Sequence, residues 1–321
     1  MMTNPYYGNS YQIYGAEESR LVGGKGDGMR MLTVRNGLGL EFMISLDRAG
    51  DIARLQNKGV NYGFFGPCGF VAPAFYDLEG IGFLKSFTAG FFTTCGLTCV
   101  GSPCEDEGEI LPLHGTLSNI PCERYNVEDD GSALIITVFV RDAALFGHQL
   151  MLKRVYRVSL TENTLDLTDT VENIGPTATP LQVLYHCNFG YPLLTENSEL
   201  SIPSLAVAPR NDHAAEGIAD WKKTEKPQKD YEEMCFYHTL PEQAEVTLKN
   251  PALGAGVTMR FSTRDLPCFT QWKMMGQGQY VMGLEPGNCL PDGRNVMREK
   301  GLLEMIEPGA ERTFRLSFAF H

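Results

Sequence analysis

Long apolar runs are missing from this chain. No stretch approaches the ~20 consecutive apolar residues that a membrane helix needs, so no membrane partner is expected. Basic residues are in deficit: 27 Lys+Arg stand against 39 Asp+Glu, a formal charge of −12. Phosphate binding needs a basic face, so nucleic acid is not an expected partner either. The phosphate-cradling GxxxxGK[ST] loop and the dinucleotide GxGxxG turn are absent, as are the GxSxG elbow and HExxH. The stretch GGKGDG at 23–28 has glycines at the wrong spacing. Nucleotide-dependent, serine-hydrolase and zincin chemistries therefore lose support. No Asn-x-Ser/Thr acceptor occurs, and the first 20 residues show no basic segment leading into an apolar one, so no secretory signal is read there. The nine Cys are odd in number and lack framework spacing. They read as free thiols of a reducing compartment, and a cytoplasmic location is expected.

What is present is strand signal. At 43% hydrophobic and 21% charged, the 321 residues are too apolar for a disordered chain. Segments 41–46, 133–140, 150–160, 164–171, 181–185, 245–248, 257–261, 280–284 and 313–320 are rich in β-branched and aliphatic residues. Several alternate with the period of two of half-buried strands. In LMLKRVYRVSL the alternation is imperfect, because Arg154 shares a face with Leu152, Tyr156 and Val158. Turn signals separate the strands: Asn-Pro…Gly at 250–254 and Gly-Pro at 175–176. Helical periodicity is weak. The best short candidates are 215–222 and 231–237. With no βαβ rhythm, an all-β sandwich or barrel is expected. The economical division is an arm over residues 1–25 and one β domain over 26–321.

Three segments have the composition for chemistry. In Leu111-Pro112-Leu113-His114-Gly115 an imidazole sits where a strand ends and the backbone turns. In Tyr185-His186-Cys187-Asn188 a strand delivers a second His. Residues i and i+2 of a strand share a face, so His186 and Asn188 are expected to line one pocket, with Tyr185 and Cys187 toward the core. In Gly283-Leu284-Glu285-Pro286-Gly287 a strand runs into a carboxylate and a forced turn. Glu is a poor strand residue, which favours a functional reading. A Glu with His partners is a workable acid–base set, since burial and neighbours move both pKa values toward neutrality. Trp272 is either a flat surface on which a sugar ring or a base stacks or a core side chain, and Lys85 either reaches a ligand or snorkels to water. The acidic run Glu105, Asp106, Glu107 and Glu109 reads as a solvated loop. Cys95, Cys99 and Cys104 before His114 do not match zinc spacing, so buried thiols and no metal are expected there.

Taken in order, these motifs resemble the galactose mutarotase-like superfamily, the aldose 1-epimerases, and within it a branch of formerly unassigned function. The matching segments are 36–42, Asp47-Arg48 with Asp51-Ile52, 93–97, His114-Gly115, 186–192, Glu285-Pro286-Gly287 and Asp292-Gly293-Arg294. The resemblance implies a β-supersandwich of large antiparallel sheets around a sugar cleft. It implies Glu285 as general base at the anomeric hydroxyl, His186 as general acid at the ring oxygen, and His114 as a sugar-binding group. It implies no cofactor and a small-molecule sugar as partner, with a sheet-edge homodimer compatible. The chain departs from the mutarotase pattern around that pair. Lys85 stands where an Arg clamp is typical, HCNFGYP replaces the usual His segment, and Asp212 is the nearest candidate for a hydroxyl-binding Asp. The expected substrate is accordingly an unusual or modified sugar. Two other readings fit the same residues: a non-catalytic carbohydrate-binding protein, and a metal-assisted sugar isomerase or lyase with His114, His186 and Glu285 as ligands.

Overall fold

A computed structural model describes residues 5–321. Three antiparallel sheets carry the fold. A five-stranded meander runs Gly15–Arg20, Arg30–Arg35, Leu40–Ser45, Asp51–Asn57 and Val60–Asn61. An eight-stranded sheet is ordered Arg124–Asp129, Ala133–Ala143, Gln149–Ser159, Thr164–Asn173, Glu311–Phe320, Ala255–Ser262, Gln243–Asn250 and Glu199–Ser201. A seven-stranded sheet has Met234–Thr239, Cys268–Gly276, Gln279–Gly287 and Thr179–Gly190 at its centre, with Phe92–Leu97 paired to the last of these. Apolar side chains of all three sheets meet in one large core, including Phe42, Ile136, Tyr156, Phe189, Phe269 and Phe318. The all-β expectation holds. Of the expected arm over 1–25, residues 1–4 lie outside the described residues, and Gly15–Arg20 are an edge strand paired with Arg30–Arg35.

Period-two burial explains the strand choice. In Gln149–Ser159 the residues Leu150, Leu152, Arg154, Tyr156 and Val158 point inward, while Lys153 and Arg157 are exposed. Arg154 broke the alternation because it is a buried tie between sheets. Its Nε and Nη2 donate to the two carboxylate oxygens of Asp169 at 2.9 and 2.6 Å. Nη1 reaches Asp51 Oδ1 at 2.6 Å and Ala49 O at 3.1 Å, and Nη2 also reaches Thr94 Oγ1 at 2.7 Å. A guanidinium has five N–H groups, and these five contacts satisfy it. Tyr185 completes the network by donating to Asp169 Oδ2 at 2.8 Å. Tyr185 precedes His186 in the strand, so the network anchors one face of the strand whose other face carries the imidazole.

One helical expectation is corrected and the other holds only in part. Met234–Thr239 is a strand, so 231–237 is not a helix: Met234 and Phe236 are buried, and sheet pairing to Cys268–Gly276 outweighs local propensity. The segment 215–222 contributes only a helix Asp212–Glu216, capped by the Asn211 side chain on Ala214 N, and a 3-10 turn Ile218–Asp220. The acidic run is not simply a solvated loop either. Asp106 is buried and takes Arg294 at 2.6 Å and Arg298 at 2.8 Å from the helix Arg294–Glu299. All nine Cys are free thiols. Among the described residues, no helix is long and apolar enough to cross a membrane.

Candidate active site

Two adjacent strands build the centre of the site. The register pairs Cys187 with Leu284 and Asn188 with Gly283, and so sets His186 opposite Glu285. On the other side of Glu285, Thr270 is its cross-strand partner. His186 Nε2 lies 3.3 Å from Glu285 Oε1, and both side chains are almost fully buried. Gly283 shares a face with Glu285 and makes room for it: a Cβ at Gly283 would fall 2.3 Å from Glu285 Oε1 and 3.0 Å from the Trp272 Cβ. Gly283→Ala is therefore expected to push the carboxylate aside. If Glu285 is the base, kcat falls by about 10²-fold, the usual cost of misplacing a catalytic group by an ångström. Turnover and melting temperature measured together check this; unaltered kcat in a folded variant would remove Gly283 from the argument.

His114 enters from a separate turn. Its backbone has φ 60, in the left-handed region that few side chains adopt, and it is fixed by His114 N to Gly101 O at 2.9 Å and Gly96 N to His114 O at 3.1 Å. Its ring meets that of His186 at 5.6 Å between centroids. Phe83 packs on His114, while Phe87 and Trp272 pack on His186 at 5.2 and 5.3 Å. The Trp272 indole is held by its Nε1, which donates to Glu233 Oε2 at 2.7 Å. These groups line a cavity of about 320 Å³. Three residues of its lining carry a buried polar atom without a hydrogen-bond partner, His114 Nδ1, His186 Nδ1 and Thr270 Oγ1, and beside them Glu285 Oε1 has only His186 Nε2 within reach. These side chains give the cavity hydrogen-bonding groups for a polar molecule.

Burial dominates the electrostatics. It raises the Glu285 carboxyl well above its ordinary range, with Glu233 adding to the effect and Arg210 opposing it. It lowers His186 to about 4 and His114 to about 3. Both shifts favour the uncharged forms, carboxylic acid and neutral imidazole.

Not every expected site residue is here. Glu285, His186, His114 and Trp272 come together. Lys85 does not: it is 72% exposed and paired with Asp77 at 2.6 Å. Asp212 does not either, being an exposed first-turn residue of the short helix. Asn188 shares a face with His186 but does not line the cavity. It is buried, donating to the carbonyls of His186 at 2.6 Å and Ala89 at 3.2 Å. The cation that lines the cavity is Arg210, two residues from Asp212. Its Nη2 donates to Ser102 Oγ at 3.0 Å and Pro291 O at 3.1 Å, and its Nε to Asp292 Oδ1 at 3.3 Å. Asp292 is itself fixed by the Tyr237 hydroxyl and by Lys300. Glu233 was likewise not foreseen. Both residues flank the strand pair Ala206–Pro209 and Met234–Thr239, one of whose members had been read as helix. Among the described residues, no three His, Cys, Asp or Glu side chains are grouped as a metal ion requires, so His114, His186 and Glu285 are not assembled as a ligand set.

The architecture is galactose mutarotase-like. A protein of Klebsiella pneumoniae subsp. pneumoniae MGH 78578, a presumptive aldose 1-epimerase, superposes with a TM-score of 0.90 at 29% identity, over 97% of this chain and 86% of that one. A galactose mutarotase-like protein of Clostridium acetobutylicum superposes at 0.72 and 13% identity, over 97% and 99%. Galactose 1-epimerase of Lactobacillus acidophilus NCFM does so at 0.63 and 13%, over 96% and 99%. These last two likenesses are of fold alone. Residues 26–320 match the family described as a domain of unknown function, DUF4432, and the chain belongs to that family. No curated protein matches it significantly.

Proposed function

We propose that the chain is a cofactor-independent sugar 1-epimerase that interconverts α and β anomers of an unusual or modified sugar. The observation that carries this reading is the Glu285–His186 pair, 3.3 Å apart, lining one cavity with His114, Thr270 and Arg210. The resemblance to aldose 1-epimerases assigns the roles. Glu285 takes the proton of the anomeric hydroxyl while His186 gives one to the ring oxygen. The bond from the anomeric carbon to the ring oxygen breaks, leaving an open-chain aldehyde. Rotation about the adjacent carbon–carbon bond presents the other carbonyl face. Closure returns both protons, so nothing is oxidised and no co-reactant is consumed. His114 and Arg210 offer hydrogen bonds to sugar hydroxyls, and Trp272 offers a flat apolar wall. Arg210 supplies from a new place in the chain the guanidinium that Lys85 was expected to replace.

The proton count of the pair makes a pH prediction. The working form, carboxylate with imidazolium, carries one proton, as does the neutral form with which it exchanges. Lowering pH adds a second proton through the His186 value of about 4, and activity is lost. Raising pH through the elevated value of Glu285 removes the only proton, and activity is lost again. A bell-shaped kcat/KM against pH is expected, reporting the free enzyme. Anomer exchange followed by NMR across a pH series tests it. A rate that only rises through the Glu285 value would show that the proton on His186 is not required.

A further inference from the structure

The site continues into a second cavity of about 310 Å³, and the two share Leu84, Phe87, Glu233 and Trp272. Strand register shows how they lie. Three rungs of the ladder between Cys268–Gly276 and Gln279–Gly287 fall on one face: Thr270 with Glu285, Trp272 with Gly283, and Met274 with Val281. The first rung lines the polar cavity. Trp272 stands at the boundary, and the third rung lines the second cavity. Four residues of strand separate Glu285 from Val281, a span of about 13 Å at ~3.3 Å per residue.

The two halves differ in the polar groups they hold: the first has His114, His186, Thr270, Glu285 and Arg210, the second Cys68 and Gln279, with Glu233 shared. His114, His186 and Thr270, each with an unpartnered buried polar atom, line the first cavity, and no residue lining the second carries one. Against the polar Glu233, Cys68 and Gln279, the second sets Phe64, Pro67, Met274 and Val281 with the shared Leu84, Phe87 and Trp272, and so offers contact chiefly to hydrocarbon. Trp272 and Phe87 each pack an edge of the boundary on His186, so a molecule seated at the acid–base pair runs directly along these rings into the apolar half.

We propose that the substrate is a sugar with a free anomeric centre that carries an aryl or alkyl group at its far end, and that the second cavity binds that group. The proposal rests on the epimerase reading for the position of the anomeric carbon. A sugar ring alone would leave the apolar half in water. A substituent placed there exchanges apolar surface with water for contact with Met274, Val281 and Phe64, and tightens binding roughly ten- to a hundredfold.

The test compares glucose and galactose with their 4-O-benzyl and 6-O-benzyl ethers. Affinity is read from Trp fluorescence, and anomer exchange from NMR. Met274→Glu places a carboxylate in the apolar half without touching the polar cavity. The expected result is a tenfold or greater gain for at least one benzyl ether, abolished in Met274→Glu. Handling of the parent sugar by that variant stays unchanged, which also shows that it folds. Accelerated exchange of parent sugars with no gain for any ether would overturn the proposal and leave the epimerase reading intact. A gain that survives Met274→Glu would also overturn it. A gain lost in Met274→Glu, with no exchange of any sugar, would support the apolar compartment and defeat the epimerase reading.

Discussion

Replacing Glu285 by Gln is expected to lower kcat by about 10²–10⁴-fold, the usual weight of general acid–base catalysis. Sugar binding should survive. Gln has nearly the same shape, keeps a carbonyl oxygen toward His186 and loses only basicity. The environment makes the substitution clean. Burial already opposes the charge on Glu285, so a neutral amide removes an unfavourable charge rather than a stabilising one. The variant should therefore be at least as stable as the parent, and its lost turnover could not be assigned to unfolding. Steady-state rates with a parallel thermal melt decide the matter. Retained turnover in a folded Glu285→Gln protein would remove Glu285 from the mechanism, and with it the proton count behind the bell-shaped pH profile.

The second large effect is on stability. Arg154→Met should cost about 3–5 kcal/mol, the range for breaking a buried ion pair by removing one partner. Asp51 and Asp169 would be left facing each other in the core with no cation, and Thr94 Oγ1 and Ala49 O would lose a donor. Lys is not a rescue, because one ammonium cannot reproduce five donors fixed in a plane. Urea unfolding of the variant beside the parent measures the loss as a shift in midpoint. A shift equivalent to less than about 1 kcal/mol, the scale of surface pairs, would show that the network does not tie the sheets together.

How far the sequence foretold this molecule follows from which signals are local. Period-two alternation is local, and the segments 133–140, 164–171 and 245–248 that it marks fall inside the strands 133–143, 164–173 and 243–250. A charge breaking that alternation is local too, so Arg154 was visible as an anomaly. Its partners were not, because Asp51 and Asp169 come from distant parts of the chain. Segment 231–237 was misread because its two Glu suit a helix, whereas the pairing of Met234–Thr239 with Cys268–Gly276 is a long-range fact. The same limit governs the site. His186 and Glu285 stand out as isolated ionisable groups within apolar strand runs, and His114 as one at a turn. Arg210 carries no such mark. Its place is set by an Arg210 N to Cys235 O bond at 2.8 Å and by Asp292, and neither is adjacent in sequence. Lys85 was read from the place of an Arg clamp and Asp212 from the want of a hydroxyl-binding Asp, and both side chains lie exposed.

The central claim, that Glu285 and His186 open and close a sugar ring, is tested most directly by anomer exchange in D2O. Saturation-transfer NMR across a panel of aldoses and modified sugars would report exchange between α and β forms, and the carbon-bound hydrogens in the same spectra would report any proton abstraction from carbon. The account predicts accelerated α/β exchange for at least one sugar, with no deuterium entering at the anomeric carbon or its neighbour. Deuterium at the neighbouring carbon, or no acceleration for a sugar that demonstrably binds, would contradict it.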